Sequence, residues 1–370
     1  MIKLFERHED EKYIIIKILF IKITFKKKMP KSDIDAIVWW IPFKSLRNAV
    51  RNLLNNYTNL FNINARNLEN INYNNEIRQN ITQIKQEINK LDIRNKARMQ
   101  LLSMGEERII KPVRNEKLIV SLTTYPQRIV DIDVVIFSLI NQSIKPDKII
   151  LWLAYEEFPN LERDIPNHVL NLKKLGLEIE FCHNIYSYNK LIHALEKYPN
   201  DLIVTADDDI YYPYNWLEKL YKSYLENPNV IHCHRAHRII FDDKNNILPF
   251  NQWLQEFKPK NSSPSYLNFA TGVGGVIYKH KLLHNDIFNE ELFIKLCPKD
   301  DDVWFWIMAL LKNTKINIID SNFYTGNFAI GYNYYSKLCD INVVQNFSDI
   351  QLDNCFKYYG DKLKNKLFEE

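Results

Sequence analysis

From Lys117 onward, short apolar runs alternate with stretches whose apolar residues recur every three or four positions. LIVSLTT (118–124) is the first run, and it ends at Tyr125-Pro126. DKIILWL (147–153), LEIEFC (177–182) and DLIVTA (201–206) repeat it. Between them, VDIDVVIFSLINQ (130–142), VLNLKKL (169–175) and NKLIHALEKY (189–198) carry helical spacing, and Gly176 suits a helix C-terminus. PYNWLEKLYKSYLEN (213–227) is a helix opening on Pro. Apolar strands alternating with helices predict an α/β fold with a mostly parallel, doubly wound sheet. Ligands of such sheets lie beyond the carboxyl ends of the strands.

The pattern before Lys117 is different. Residues 13–25 (YIIIKILFIKITF) are apolar but interrupted by Lys17 and Lys22, and three lysines follow. A span needs about 20 apolar residues, so this is no membrane crossing. The acidic flank before it and the lack of a small-residue cleavage site do not suit a secretory signal. A packed strand or hairpin and a segment lying in a membrane interface both fit. Within 37–57, Phe43, Leu46, Val50, Leu53 and Leu54 follow Trp39-Trp40 at helical spacing, with Lys44, Arg47 and Arg51 towards the other side. That is a basic amphipathic helix, docked on its own protein or on a membrane surface. Further on, Ile77, Ile81, Ile84, Ile88 and Leu91 step by four and three, a heptad seam. The segment is Asn-rich (14 of residues 51–100), and Asn is a poor helix former. Either self-association through 77–91, a short coiled coil making a homo-oligomer, or packing on the main domain would steady it. Asn67, Asn74 and Asn95 fall on the extrapolated seam. The expected organisation is a basic segment at 1–60, a helix or coiled coil at 61–104, the α/β domain at 117–320 and a tail at 321–370, with a helix over 350–367.

Charge sharpens the division. The net charge is +4. Residues 1–60 alone hold 12 Lys/Arg against 6 Asp/Glu, so the remainder is slightly acidic. A nucleic-acid partner would call for basic charge across the main domain, so none is expected. The basic end suits an anionic membrane surface instead. The five cysteines form no CxxC pair, and their odd number argues against a disulfide framework and for a reducing compartment.

The strand at 201–206 runs into Asp207-Asp208-Asp209. Adjacent carboxylates repel, so the triplet is either a solvated turn or a site. A calcium loop fails, because its fifth and sixth positions would be Tyr211 and Tyr212. Asp207 and Asp209 suit a divalent cation, Mn²⁺ or Mg²⁺, that also grips phosphate oxygens. No P-loop is present. TGVGG (271–275) lacks the Gly at 277 that a dinucleotide fingerprint requires, and its Gly274 and Gly275 suggest close approach of backbone to a ligand. A second acidic run, Asp300-Asp301-Asp302, opens the apolar helix VWFWIMALLK (303–312). One Asp suffices for capping, so three suggest a general base, with Trp304 or Trp306 available to stack on a sugar. His232-Cys233-His234 would split across two faces of a strand, which disfavours zinc, while His234 or Arg235 would suit the rim of a site. Lys190, just before the acidic strand, is either a phosphate ligand or a solvated lysine.

VSLTTYPQRI (120–129), VTADDD (204–209), TGVGG and KDDDVWF (299–305) together resemble GT-A glycosyltransferases of the family-2 type, which assemble bacterial surface polysaccharide and lipooligosaccharide. The resemblance covers about Leu118 to Asp320. It implies that Asp207 and Asp209 bind the metal and donor diphosphate, with Asp208 beside them. It implies that Asp302, next to Asp301, is the base of an inverting displacement, and that Thr123, Tyr125 and Arg128 line the nucleotide pocket. It further implies a nucleotide-sugar donor, a glycan or lipid-linked acceptor, and a cytoplasmic location at the inner membrane face. LWLAYEEFP (151–159) departs from the family pattern, because no acid there is assignable to the nucleotide base. A nucleotidyltransferase, and a non-catalytic scaffold or glycan-binding protein, stay open as alternatives.

Overall fold

The computed structural model describes residues 5–9, 13–18, 21–26, 48, 51–52, 70–104, 114–259, 263–319, 329–330 and 347–369. The amphipathic segment 37–57 therefore lies outside the described residues except at 48 and 51–52, as do Asn67 and the side chains of Asn74 and Ile77. The chain falls into two units, Met1–Asp92 and Ile93–Glu370. The boundary cuts through a helix rather than following it.

In the first unit, strands β1 (Phe5–Glu9), β2 (Tyr13–Ile18) and β3 (Ile21–Lys26) form an antiparallel meander. Residues 13–18 and 21–26 are thus extended. Helix α1 runs from Asn70 to Ser103. Along it Ile81, Ile84, Ile88 and Leu91 are half-buried. Past the boundary, Arg94 and Ala97 are buried and Asn95 is exposed. The domain it packs on, not the extrapolated heptad, sets which face turns inward there.

The second unit is α/β. Its central sheet contains β4 (Leu118–Thr123), β5 (Lys148–Ala154), β6 (Leu177–Cys182), β7 (Leu202–Thr205), β8 (Ile231–Cys233), β11 (Val276–Tyr278) and β12 (Ile316–Ile318). The order is β12-β8-β11-β7-β4-β5-β6. Only β11 runs antiparallel to its neighbours. β9 (Ala236–Arg238) and β10 (Asn268–Ala270) pair in a separate ribbon. The mostly parallel sheet expected from the apolar runs is present.

Alternation along the strands divides two cores. Leu118, Val120 and Leu122 pack with helices α2 (Ile132–Ile140) and α4 (Trp216–Glu226). Ile119, Ile150 and Ile203 pack on the other face with α3 (Ile192–Lys197), α6 (Asp301–Leu311), α7 (Phe347–Tyr359) and α8 (Asp361–Leu367). With both faces covered, the strands have no polar side to show, which is why they read as continuous apolar runs. Between β11 and α6 lies the short α5 (Glu290–Leu296). The tail helix expected over 350–367 is two helices, broken at Gly360, whose φ is +60°. Among the described residues, no helix is long and apolar enough to cross a membrane.

Candidate active site

The chain leaves β4 towards β5 and β6, then returns to lay β7 on the opposite side of β4. The carboxyl ends of β4 and β7 thus flank a topological switch point, where a parallel sheet opens a crevice. Thr123 ends β4 and Thr124 to Arg128 follow it, and Asp207 to Asp209 follow β7. Asp208 accepts a hydrogen bond from Thr124 Oγ1 at 2.7 Å and one from Arg128 at 2.6 Å. The same guanidinium lies 3.2 Å from Asp209 and 5.4 Å from the centre of the Tyr125 ring. Burial works against the charge on Arg128, but Asp208 and Asp209 outweigh it and raise its pKa. Burial also pushes the Asp208 carboxyl up, despite Arg128 and Thr124. Thr123 spends its hydroxyl on the Trp152 carbonyl at 2.9 Å, which fastens β4 to β5. Thr124 is the residue that meets the acids. The sequence carried no signal to prefer it.

The turn after β7 is anchored from both sides. The Asp207 N–H donates to Tyr212 Oη at 2.8 Å, and the Asp209 carbonyl accepts from the Ile330 N–H at 2.7 Å.

A second corner is built around Lys190. It ends the 3-10 turn Tyr186–Lys190 that follows β6. Its ammonium is buried, 2.9 Å from Asp207 Oδ1 and 3.2 Å from Asp301 Oδ2. Burial opposes its charge, and Asp207, Asp301 and Asp302 more than compensate, so its pKa is raised. Lys190 is therefore not a solvated lysine; it ties the two acidic runs together.

The three acids that open α6 divide their work. Asp300 is the cap: it accepts from the Val303 N–H at 3.3 Å and from Ser348 Oγ at 2.5 Å. Burial, with Asp301 adding to it, lifts its pKa to about 6. Asp301 faces Lys190. Both Asp302 oxygens accept the Gly272 N–H, at 2.9 and 3.1 Å. Burial and then Asp301 push the Asp302 pKa well above the usual carboxylate range.

Asp207, Asp208, Asp209, Asp301 and Asp302 thus converge on two side-chain cations, Arg128 and Lys190. Carboxylate outnumbers cation, and all the donors are hard oxygens. Such a set suits Mg²⁺ or Mn²⁺. The side chains of Asp207 and Asp209 are 25% and 20% exposed, so both open outward. Among the described residues no group of three or more His, Cys, Asp or Glu is arranged to cage an ion. A cation here would be held by the two carboxylates, with water and ligand phosphate completing its shell.

The glycine segment serves the fold at two of its three glycines. A Cβ at Gly274 would lie 2.7 Å from Arg235 Cβ, and one at Gly275, where φ is +89°, would lie 2.3 Å from the Trp216 ring. Trp216 also donates from its indole to the Gly274 carbonyl at 2.7 Å. The close approach expected at Gly274 and Gly275 is therefore to the protein's own side chains. Gly272 is the glycine that faces the acids: its added Cβ would meet Lys190 Nζ at 3.0 Å and Asp302 Oδ1 at 3.1 Å.

His234 does not line a rim. It is buried, hydrogen-bonded to the Trp216 carbonyl at 2.9 Å, and burial lowers its pKa to about 3. Arg235 is half-buried, 2.7 Å from Thr271 Oγ1 and 3.1 Å from Glu256. Trp304 and Trp306 are core residues, 0% and 2% exposed, because α6 is apolar on every side from Val303 to Leu310. Neither can stack on a ligand. An exposed aromatic on the turn that ends at Lys190 is Tyr186, 56% exposed and held at a φ of +60°. Lys299 Nζ lies 5.2 Å from the centre of its ring. A bulky residue in that backbone region costs about 1–3 kcal/mol, and such residues concentrate at functional sites.

No family model and no curated protein matches the chain. Among solved structures, the crystal structure of S. aureus TarS 1–349 is similar at a TM-score of 0.37 and 15% identity. The likeness covers 56% of this chain and 59% of that one. So distant a likeness carries no argument about chemistry, which has to come from the site itself.

Proposed function

We propose that this protein is a metal-dependent glycosyltransferase of the GT-A type, using a nucleotide-sugar donor and inverting the anomeric centre. The observation that carries the reading is the convergence, at the switch point between β4 and β7, of Asp207–Asp209 with Asp301 and Asp302 around Lys190. An acidic crevice of this kind binds no diphosphate without a cation, and two outward-opening carboxylates are what a phosphate-borne Mg²⁺ or Mn²⁺ needs. A bound cation would neutralise the charge gathering on the leaving diphosphate.

The chain's own residues do the rest. Thr124 and Arg128 hold Asp208 and so fix the turn that presents Asp207 and Asp209. The Gly272 N–H orients Asp302. A carboxylate whose pKa is raised by burial is a competent proton acceptor, and Asp302 takes the proton from the acceptor hydroxyl as it attacks. Lys190 fixes the spacing between base and diphosphate corner. Tyr186 offers the exposed ring against which a sugar can rest. The acceptor is a glycan or lipid-linked glycan met at an anionic membrane surface, a reading supported by the basic residues concentrated before residue 60.

The test is nucleoside diphosphate release from a panel of nucleotide sugars with the full chain, in Mn²⁺ and then in EDTA. Turnover of one donor, abolished by EDTA and restored by Mn²⁺, is expected. Release of pyrophosphate from a nucleoside triphosphate instead would replace this reading with nucleotidyl transfer.

A further inference from the structure

Two arginines at the end of α1 reach the acidic crevice by two routes that share Asp131, whose carboxylate lies 3.8 Å from Arg94 and 2.9 Å from Arg98. Ala97 is buried in the core that α2 shares with β4, and Ile93 and Leu101 pack beside it. On the same helix, Arg94 is 2% exposed, and its guanidinium donates to the Ile330 carbonyl. The Ile330 N–H donates in turn to the Asp209 carbonyl at 2.7 Å, while Ala329 bridges Ile210. One helical turn on, Arg98 forks onto Asp133 at 2.8 and 2.9 Å and reaches Asp131 at 2.9 Å. The Asp131 N–H donates to the Arg128 carbonyl at 3.1 Å, and Arg128 holds Asp208 and Asp209. Both routes therefore end on the Asp208–Asp209 corner, one through its backbone and the other through its counter-cation.

A helix that only had to dock would bury apolar side chains at these positions. Burying a guanidinium is costly unless its geometry is well satisfied, so a buried or forked arginine marks a fixed geometry rather than adhesion. We propose that Arg94 and Arg98 are positioning residues for the metal–diphosphate corner, Arg94 setting Asp209 through Ile330 and Arg98 setting Arg128 through Asp131. The proposal rests on the glycosyltransferase reading above. It makes the last turns of α1 a working wall of the site, although neither arginine touches donor or acceptor.

Arg98 gives the cleaner test, because its own side chain is 38% exposed and belongs to neither apolar core, although its loss strips the buried Asp133 of its counter-charge. Binding of UDP and GDP to the full chain is measured by calorimetry with and without Mn²⁺, alongside donor turnover. For Arg98→Ala, the Mn²⁺-dependent gain in affinity falls about tenfold and kcat falls with it; Tm falls too, because the buried Asp133 loses its partner, so affinity is read well below the transition. Arg98→Lys keeps the charge but cannot fork onto two carboxylates, so it falls between Ala and the native chain. Arg94→Lys provides the second arm and loses the same Mn²⁺-dependent increment. A merely structural role would lower Tm and leave the affinity below the transition untouched. Unchanged affinity in these variants, or equal weakening with and without Mn²⁺, overturns the proposal alone. A native chain that binds neither these nor any other of a panel of nucleoside diphosphates in Mn²⁺ overturns the glycosyltransferase reading with it.

Discussion

Gly272 and Gly275 lie three residues apart and respond to the same substitution for different reasons. At Gly275 a Cβ would sit 2.3 Å from the Trp216 ring on a backbone with φ at +89°. Clash and strain together cost about 2–5 kcal/mol, so Gly275→Ala should fall out of the soluble fraction or lose much of its Tm. At Gly272 the new Cβ meets only the ends of Lys190 and Asp302, at 3.0 and 3.1 Å. Gly272→Ala should keep its Tm within a few degrees and lose roughly ten- to hundredfold in turnover, because base and diphosphate corner are pushed apart. Equal losses of stability in the two variants would refute this division. Asp302→Asn should retain Mn²⁺-dependent diphosphate binding and lose transfer. Because burial and Asp301 raise the Asp302 pKa, and the base must be ionised, turnover should rise with pH through a group titrating above the usual carboxylate range. Asp300 makes the opposite contribution to stability. Its pKa of about 6 in the folded chain exceeds the ordinary value of 3.8, so the stability it brings is complete at low pH and is lost as pH rises through about 6. Asp300→Asn can still accept from the Val303 N–H, so it should stabilise the fold at pH 7–8 by at most about 3 kcal/mol, seen as a higher Tm, and give no gain at pH 4.

At the scale of elements, α6 carries the acids and α7 holds them in place. Ser348 donates to Asp300, and Gln351, fully buried, accepts from the Lys299 N–H at 2.8 Å. Gln351→Ala leaves that N–H without its acceptor, at a cost of about 1–3 kcal/mol, and frees the loop that aims Asp301 and Asp302. The expected result is a fall in kcat with donor affinity preserved, measured side by side on the full chain; a loss confined to donor affinity would remove α7 from this role. The tail was legible as helix and not as part of the site, because nothing local in residues 347–359 announces a contact with residues 299–300. The same holds more widely. β4 to β7 and the helices between them can be read from the chain because burial on both sheet faces leaves continuous apolar runs. Their order cannot, since parallel pairing is non-local, and β8, β11 and β12 are only three residues each. The acids were conspicuous as runs of like charge. Their pairing through Lys190 joins residues 207 and 301 across nearly a hundred positions, and no spacing rule reaches that far. Trp304 is the instructive miss. A helix apolar on every side must be buried, so α6 already excluded an exposed ring, whereas the exposed Tyr186 stands in a turn without periodicity.

The whole molecule is electrically lopsided in a way that its net charge of +4 conceals. The second unit gathers acid at its crevice, and on the proposed function it takes up a diphosphate only together with a cation. The first sixty residues carry twice as many Lys and Arg as Asp and Glu, including Lys26, Lys27 and Lys28 in succession. Each basic side chain near an anionic surface contributes about 1 kcal/mol at most, and the attraction decays within a Debye length, about 8 Å at physiological salt. A handful of such residues is enough to hold a protein at a surface rich in phosphatidylserine or phosphatidylglycerol, and too few to hold it there in high salt. The full chain should therefore co-sediment with vesicles containing an anionic lipid at low ionic strength, stay in solution with purely zwitterionic vesicles, and be released from the anionic ones by about 0.5 M NaCl. Replacing Lys26, Lys27 and Lys28 with Gln should weaken binding several-fold without changing diphosphate affinity, which on the proposed function rests on the acids of the second unit. Equal binding to both kinds of vesicle would mean that apolar insertion rather than charge makes the contact. Binding to neither would leave the acceptor to reach the crevice from solution.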